Sequence, residues 1–316
     1  QVFRVAIPNL LLGNVLAVKH ASNVPTAAAL LDEIFQDETL GFPIYKNLPL
    51  ASQHVEAIIA HPAIKGVTLT GSEPAVSSVA QCAGKYLKKS VLELGGSAAF
   101  IVCEDADLNR AVATAVNARM QNAGQSCIAG KRILVQQSIA KAFIAAFTEK
   151  VKALKQGDKY DLSTEIGAMA REDLAIEIEE MVEQSLSEGA TLLCGGKRTG
   201  AFYEPTVLTD VTPTMRVFKE ETFGPVAVIT TFRDFEEAIA LSNQSDFGLG
   251  VDIFSQNVDF VKSQASRFDE GAVYINEMLI SDPHLPFGGI KNSGYGRELS
   301  YFGVWEFANI KTVVVK

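Results

Sequence analysis

Asn122-Ala123-Gly124-Gln125-Ser126-Cys127 is the stretch from which the rest of this chain reads outward. Shortly before it comes Glu93-Leu94-Gly95-Gly96. Both read as loops at the ends of apolar segments, where folds expose side chains for chemistry. One supplies a thiol, whose thiolate is a strong nucleophile. The other supplies a carboxylate able to act as general base on the thiol or on a water. Gly124 permits close backbone approach, and the N–H of Cys127 is placed to donate to an oxyanion formed by attack at its own sulfur.

Composition narrows the field. With 316 residues the chain has material for about two domains. Its net charge of −9 argues against nucleic acid or an anionic membrane as partner. The four cysteines, at 82, 103, 127 and 194, show neither Cys-x-x-Cys nor paired spacing, which fits a reducing cytoplasm and gives no zinc or other metal site. No uninterrupted apolar run reaches the roughly 18 residues of a membrane helix.

Outward from the two motifs, strand, loop and helix alternate. Val15–Lys19 reads as a buried strand, followed after Pro25 by a helix to about Phe35. A short helix is expected over Gln53–Ala60, a strand over Gly66–Thr70, and a helix opened by Pro74. Val91–Leu94 and Ala99–Val102 bracket Gly95-Gly96. Leu108, Ala111, Val112, Ala115 and Val116 share a helix face leading into the Cys127 loop. Two more amphipathic helices carry Ile139 to Leu154 and Leu174 to Leu186, and strands are expected at Arg132–Val135, Val226–Thr231, Gly271–Asn276 and Lys311–Lys316. This is an α/β class with a parallel sheet and crossover helices. No Gly-x-Gly-x-x-Gly occurs, so the ordinary dinucleotide fingerprint is missing, although Thr70-Gly71-Ser72 before a helix offers N–H groups to a phosphate. Gly124 to Lys131 mimics a phosphate-binding loop, but the spacing is one residue too long and Arg132 replaces the hydroxyl residue.

Together, Asn-x-Gly-Gln-x-Cys and Glu-Leu-Gly-Gly resemble the signature pair of the aldehyde dehydrogenases. Leu69-Thr70-Gly71-Ser72, Glu220-Glu221-Thr222-Phe223-Gly224-Pro225 and Pro286-Phe287-Gly288-Gly289-Ile290-Lys291 agree with that family in order and spacing. Within it, Lys19 to Pro25, Gly124 to Cys127 and Ser281-Asp282-Pro283 look most like bacterial succinate-semialdehyde dehydrogenases. The resemblance implies the aldehyde dehydrogenase-like fold. It divides the chain into a partial Rossmann-like cofactor domain over 1–93, an α/β catalytic domain over 94–295, a return segment over 296–310 and an oligomerisation strand over 311–316. A homo-oligomer, dimer or tetramer, follows from that strand. Against the family, the chain begins just after a Pro-Trp-Asn motif, and this stretch alone is expected to have little activity.

The resemblance also assigns roles. Cys127 attacks an aldehyde, hydride leaves for a nicotinamide, and Glu93 activates the water that hydrolyses the thioester. Glu298 matches a residue thought to help relay the proton. Lys19 and Ser22 match positions that meet the adenosine ribose, and Thr70, Gly71 and Ser72 lie at the cofactor phosphates. Glu221 and Phe223 match residues at the nicotinamide ribose and ring. NAD-preferring relatives commonly carry Glu at the Ser22 position. A phosphate four ångströms from a carboxylate meets roughly 4 kcal/mol of repulsion per unit charge, so Ser22 and Lys19 point to acceptance of NADP as well as NAD. Arg4 matches the carboxylate-binding arginine for succinate semialdehyde, with Ser281 in support.

Three alternatives stand beside this reading. A dehydrogenase for another small aldehyde fits the same motifs. A non-catalytic relative of the fold is opposed by the joint retention of Asn122, Gln125, Cys127 and Glu93. An acylating enzyme using CoA is opposed by Glu93, which such enzymes often lack. Gly95-Gly96-Ser97 is followed by Ala98-Ala99 where the subfamily usually has Asp-Pro, which leaves that loop's course open.

Overall fold

A computed structural model describes residues 1–36 and 41–316. The chain divides into two compact units. The first holds Gln1–Glu93, Ser281–Gly288 and Gly294–Lys316; the second holds Leu94–Ile280 and Gly289–Ser293.

In the first unit α1 (Val2–Leu11) precedes β1 (Leu16–Val18), and α2 (Pro25–Ile34) precedes β2 (Tyr45–Asn47), with β1 and β2 paired in parallel. Pro25 opens α2, where its missing N–H costs nothing. After α3 (Val55–Ala60), β3 (Gly66–Thr70), α4 (Glu73–Lys85) and β4 (Lys89–Glu93) form a crossover unit. Its parallel strands run in register from Gly66↔Lys89 to Thr70↔Glu93. Gly294–Tyr295 adds an antiparallel strand on the other side of β4, opposing Gly294 to Glu93. Glu93 therefore sits at a strand end flanked on both sides.

The second unit is built on a seven-stranded sheet. In chain order its strands are β5 (Ala98–Val102), β6 (Gly130–Gln136), β7 (Thr191–Cys194), β8 (Thr206–Thr209), β9 (Val226–Phe232), β10 (Val251–Phe254) and β11 (Val273–Ile275). Across the sheet the order is β11-β10-β5-β6-β9-β8-β7, parallel except for β7 against β8. Period-two alternation sends Ala99, Ile101, Val226 and Val228 into one core and Phe100, Val102, Ala227 and Ile229 into another. The helix α5 (Leu108–Met120) and α6 (Gln137–Lys152) cover the second face; α7 (Glu172–Ser187) packs Ile178, Met181 and Val182 on the first. Both faces are covered, so the strands read as nearly continuous apolar runs.

Lys311–Lys316, expected to pair outside its own subunit's core, joins no ladder among the described residues, and Val313, Val314 and Val315 are exposed. Two expectations are corrected. Val15–Lys19 is not a buried strand: β1 spans Leu16–Val18, pairs with β2, and leaves Val15 60% exposed. The stretch 94–295 is not one continuous unit. Gly294–Tyr295 belongs with the first unit because it pairs with β4, and 281–288 belongs there because Phe287 exchanges backbone bonds with Glu298.

Candidate active site

The Cys127 loop is made by its own backbone. After α5, Asn122 (φ 53°), Ala123 (φ 52°) and Gly124 (φ 70°) are successively left-handed. For Asn and Gly that is tolerable; for Ala it costs about 1 kcal/mol. Local bonds hold the turn: Asn122 Nδ2 donates to Gln125 O at 2.9 Å, and Gln125 Nε2 donates back to Asn122 O at 3.2 Å. Gln125 Oε1 accepts from the Ala170 N–H at 2.8 Å, fastening the loop to the segment before α7. A methyl on Gly124 would overlap the Gly224 carbonyl. The Asn-x-Gly-Gln spelling is thus dictated by the turn that delivers Cys127, which is half-buried. Of the other cysteines, Cys103 is buried, whereas Cys82 and Cys194 are half-buried.

The other motifs of the second unit close around this loop. A methyl at Gly95 would collide with the Glu221 carboxylate, and one at Gly96 with the Cys127 carbonyl. Glu221 Oε1 accepts from the Gly96 N–H at 3.1 Å and pairs with Lys131 Nζ at 2.9 Å. Lys131 also donates to the carbonyls of Ser126 (2.8 Å) and Cys127 (3.1 Å). Burial holds its pKa below the ordinary lysine value, against the opposing pull of Glu221. Beneath the Glu221–Pro225 turn the buried Arg119 gives Nε to Val226 O and Nη2 to Thr222 O, each at 2.6 Å, and Nη2 to Gly224 O. Phe223 is exposed at 36%.

In the first unit Glu93 is 1% exposed, and neither of its carboxylate oxygens has a hydrogen-bond partner among the described residues. Burial, then the nearby Glu298 carboxylate, pushes its pKa up to about 8; Arg4 and Arg297 act the other way. The Glu93 main chain is pinned, its carbonyl accepting from the Gly71 N–H at 3.0 Å. Glu298, 4% exposed, pairs with Arg4 Nη1 at 3.4 Å, and the Arg4 guanidinium lies 4.0 Å from the Phe287 ring centroid. Burial raises the Glu298 pKa, opposed by Arg4. Three expected residues, Glu93, Glu298 and Arg4, are brought together here. Ser281 is exposed and joins no bond in this cluster among the described residues.

The expected cofactor residues of this unit fit an anionic dinucleotide. Ser72 caps α4 without a side-chain hydrogen bond, so the first-turn N–H groups beyond Thr70-Gly71 are not taken by it. At the end of β1, Lys19 Nζ donates to His20 O at 3.1 Å and forms no ion pair among the described residues, while Ser22 is exposed. An ammonium beside a hydroxyl suits a phosphate.

Sequence reading passed over Lys131 and Arg119. Their signal is a cation bordered by small or apolar residues, Ala129-Gly130-Lys131 and Asn117-Ala118-Arg119-Met120, where long charged side chains need a buried partner.

The profile of the "Aldehyde dehydrogenase family" matches residues 1–313. A succinate-semialdehyde dehydrogenase [NADP(+)] of Deinococcus radiodurans is 46% identical over 99% of this chain and 66% of its own length. A probable succinate-semialdehyde dehydrogenase [NADP(+)] of Synechocystis is 48% identical over 99% of this chain and 70% of its own. The crystal structure of the Streptococcus pyogenes succinic semialdehyde dehydrogenase with NADP+ superposes with a TM-score of 0.95 at 37% identity, covering 99% of this chain and 70% of that one. The chain thus spans about two thirds of the length of these relatives.

Proposed function

Because the chain belongs to the aldehyde dehydrogenase family, we propose that it oxidises an aldehyde, succinate semialdehyde in the first place, to its carboxylic acid with NADP or NAD. Cys127, its thiol proton already lost to solvent, adds as the thiolate sulfur to the carbonyl carbon, and the carbonyl electron pair moves onto oxygen, where the Cys127 N–H is its donor. When bound, NADP supplies the hydride acceptor. Loss of hydride leaves a thioester on Cys127. Glu93 takes a proton from water, the oxygen adds to the thioester, and acid and thiol are released. Glu298 receives that proton onward. Arg4 holds the distal carboxylate of the substrate, with Ser281 beside it. Lys19 and Ser22 hold the 2′-phosphate, Thr70, Gly71 and Ser72 the pyrophosphate, and Glu221 and Phe223 the nicotinamide ribose and ring.

Glu93 carries the hydrolytic reading. A fully buried carboxylate pushed up to about 8, with both oxygens unbonded among the described residues, has the basicity of a general base near neutral pH. The names of the two curated relatives support the substrate and NADP. We also infer a homo-oligomer, dimer or tetramer, and a cytoplasmic location without nucleic-acid or membrane partners. A net charge of −9 supports the lack of nucleic-acid partners; among the described residues no helix is long and apolar enough to cross a membrane. The test is NADPH absorbance from a full-length form given succinate semialdehyde beside short aliphatic aldehydes. Turnover should be present and should favour the semialdehyde; turnover surviving in Cys127→Ala would end the mechanism.

A further inference from the structure

Lys131 stands where β5 and β6 slip register, between Ala98↔Gly130 and Ala99↔Arg132. A bulge takes one side chain out of the ladder's alternation and re-aims it. Here it sends an ammonium into the interior of the second unit with 1% of the side chain exposed. An apolar side chain would fill that space at lower cost, because a desolvated cation needs full compensation. The compensation is specific. The three partners of Nζ are the Ser126 carbonyl, the Cys127 carbonyl and Glu221 Oε1. Three N–H bonds of one ammonium are thereby matched to three acceptors. The neighbouring Arg132 points elsewhere and donates to the carbonyls of Ser97, just before β5, and of Leu241 and Ser242 in the helix Phe235–Asn243.

Resting on the reading of Cys127 as nucleophile, we propose that Lys131 is its positioning residue. It clamps the Cys127 loop by two carbonyls, ties that loop to Glu221, and biases the sulfur toward thiolate. The charged groups that act on the ammonium are Glu221, Arg119 and Cys127 itself. Glu221 offsets part of the positive charge, while the bond to Cys127's own carbonyl keeps the ammonium within one residue of the sulfur. A cation so placed favours the thiolate over the thiol. The same ammonium then fixes both the nucleophile and the carboxylate assigned to the cofactor ribose, so loop disorder on one side is felt on the other.

The experiment is the pH profile of iodoacetamide labelling at Cys127, resolved from the other cysteines by peptide mass spectrometry. In the wild-type protein the midpoint should lie below the ordinary thiol value of about 8.5. In Lys131→Met, which keeps the volume and removes the charge, it should rise by about one unit, a roughly tenfold slower reaction at pH 7. Lys131→Gln should move it in the same direction. Unchanged midpoints in both variants would overturn the proposal. Should neither variant fold, a wild-type midpoint at or above the ordinary value would overturn it equally, and one below would support it. The labelling profile needs no turnover, so its failure is distinguishable from that of the nucleophile reading, which falls if Cys127→Ala remains active.

Discussion

Arg4 Nη1 lies 3.4 Å from Glu298 Oε2, with the guanidinium stacked on Phe287, so the arginine assigned to the substrate is already held by a carboxylate. A substrate carboxylate must compete with Glu298 for it. Arg4→Ala is expected to raise KM for succinate semialdehyde at least tenfold, about 1.4 kcal/mol or more, and to change KM for a neutral aldehyde little. Glu298→Gln frees the guanidinium and should lower KM for the semialdehyde while lowering kcat. Steady-state kinetics with the two aldehydes in a full-length form decide it; equal effects of Arg4→Ala on both would exclude a carboxylate-binding role.

Glu93 makes stability pH-dependent in a direction opposite to most carboxylates. Its pKa rises from 4.5 to about 8 on folding, chiefly through burial. The fold therefore favours the protonated form, and the stability present below pH 4.5 is lost as pH rises through 8. Glu93→Gln should be close to wild type in stability at pH 5 and more stable at pH 8, by about 4 kcal/mol at most. Glu270, also pushed up to about 8 by burial, is common to both proteins and cancels in the comparison. Denaturant unfolding at the two pH values measures the difference. In a full-length form the same variant should give one burst of NADPH and then stall, because thioester hydrolysis loses its base.

The Arg119 guanidinium supports the turn that carries Glu221 and Phe223. Fully buried, it serves the carbonyls of Thr222, Gly224 and Val226. Arg119→Met removes the donor while the carbonyls stay buried, so a loss of about 3 kcal/mol or more is expected. Arg119→Lys should not restore it, since one ammonium lacks the fork that reaches three acceptors. Urea unfolding reads the loss, and a change under about 1 kcal/mol would show that the turn is held by its packing instead.

These residues also show what the sequence discloses. The motifs were legible because each is spelled by backbone geometry: Asn122 and Gly124 by left-handed turns, and Gly95 and Gly96 by close approach to Glu221 and Cys127. The sheet was legible because strands covered on both faces are continuous apolar runs. Lys131 and Arg119 were not: Arg119 is satisfied by main-chain carbonyls as distant as 222 to 226, Lys131 by two carbonyls and the remote Glu221, and carbonyls leave no trace in side-chain identity. The Val15–Lys19 strand misled for a related reason: an apolar run records that a face is meant to be covered, not by what.

The proposed role of Lys19 and Ser22 in choosing between the two dinucleotides is open to test by a single substitution. Lys19 Nζ donates to the neighbouring His20 carbonyl at 3.1 Å and forms no ion pair among the described residues, so a phosphate would meet its charge without breaking one there. Ser22, three residues on, is exposed and uncharged. Ser22→Glu would place a carboxylate where the 2′-phosphate is expected. At an effective dielectric near 20 that juxtaposition costs roughly 4 kcal/mol per unit charge at four ångströms, reduced by solvent exposure to about 1–2 kcal/mol. NADP binding should therefore weaken about tenfold or more, while NAD, whose 2′-hydroxyl donates to a carboxylate, should bind as well or better. Lys19→Ala should weaken NADP alone. Fluorescence titration of the two oxidised dinucleotides against wild type and both variants, repeated at high salt, gives the ratio directly. Parallel losses for NAD and NADP would place the adenosine ribose elsewhere.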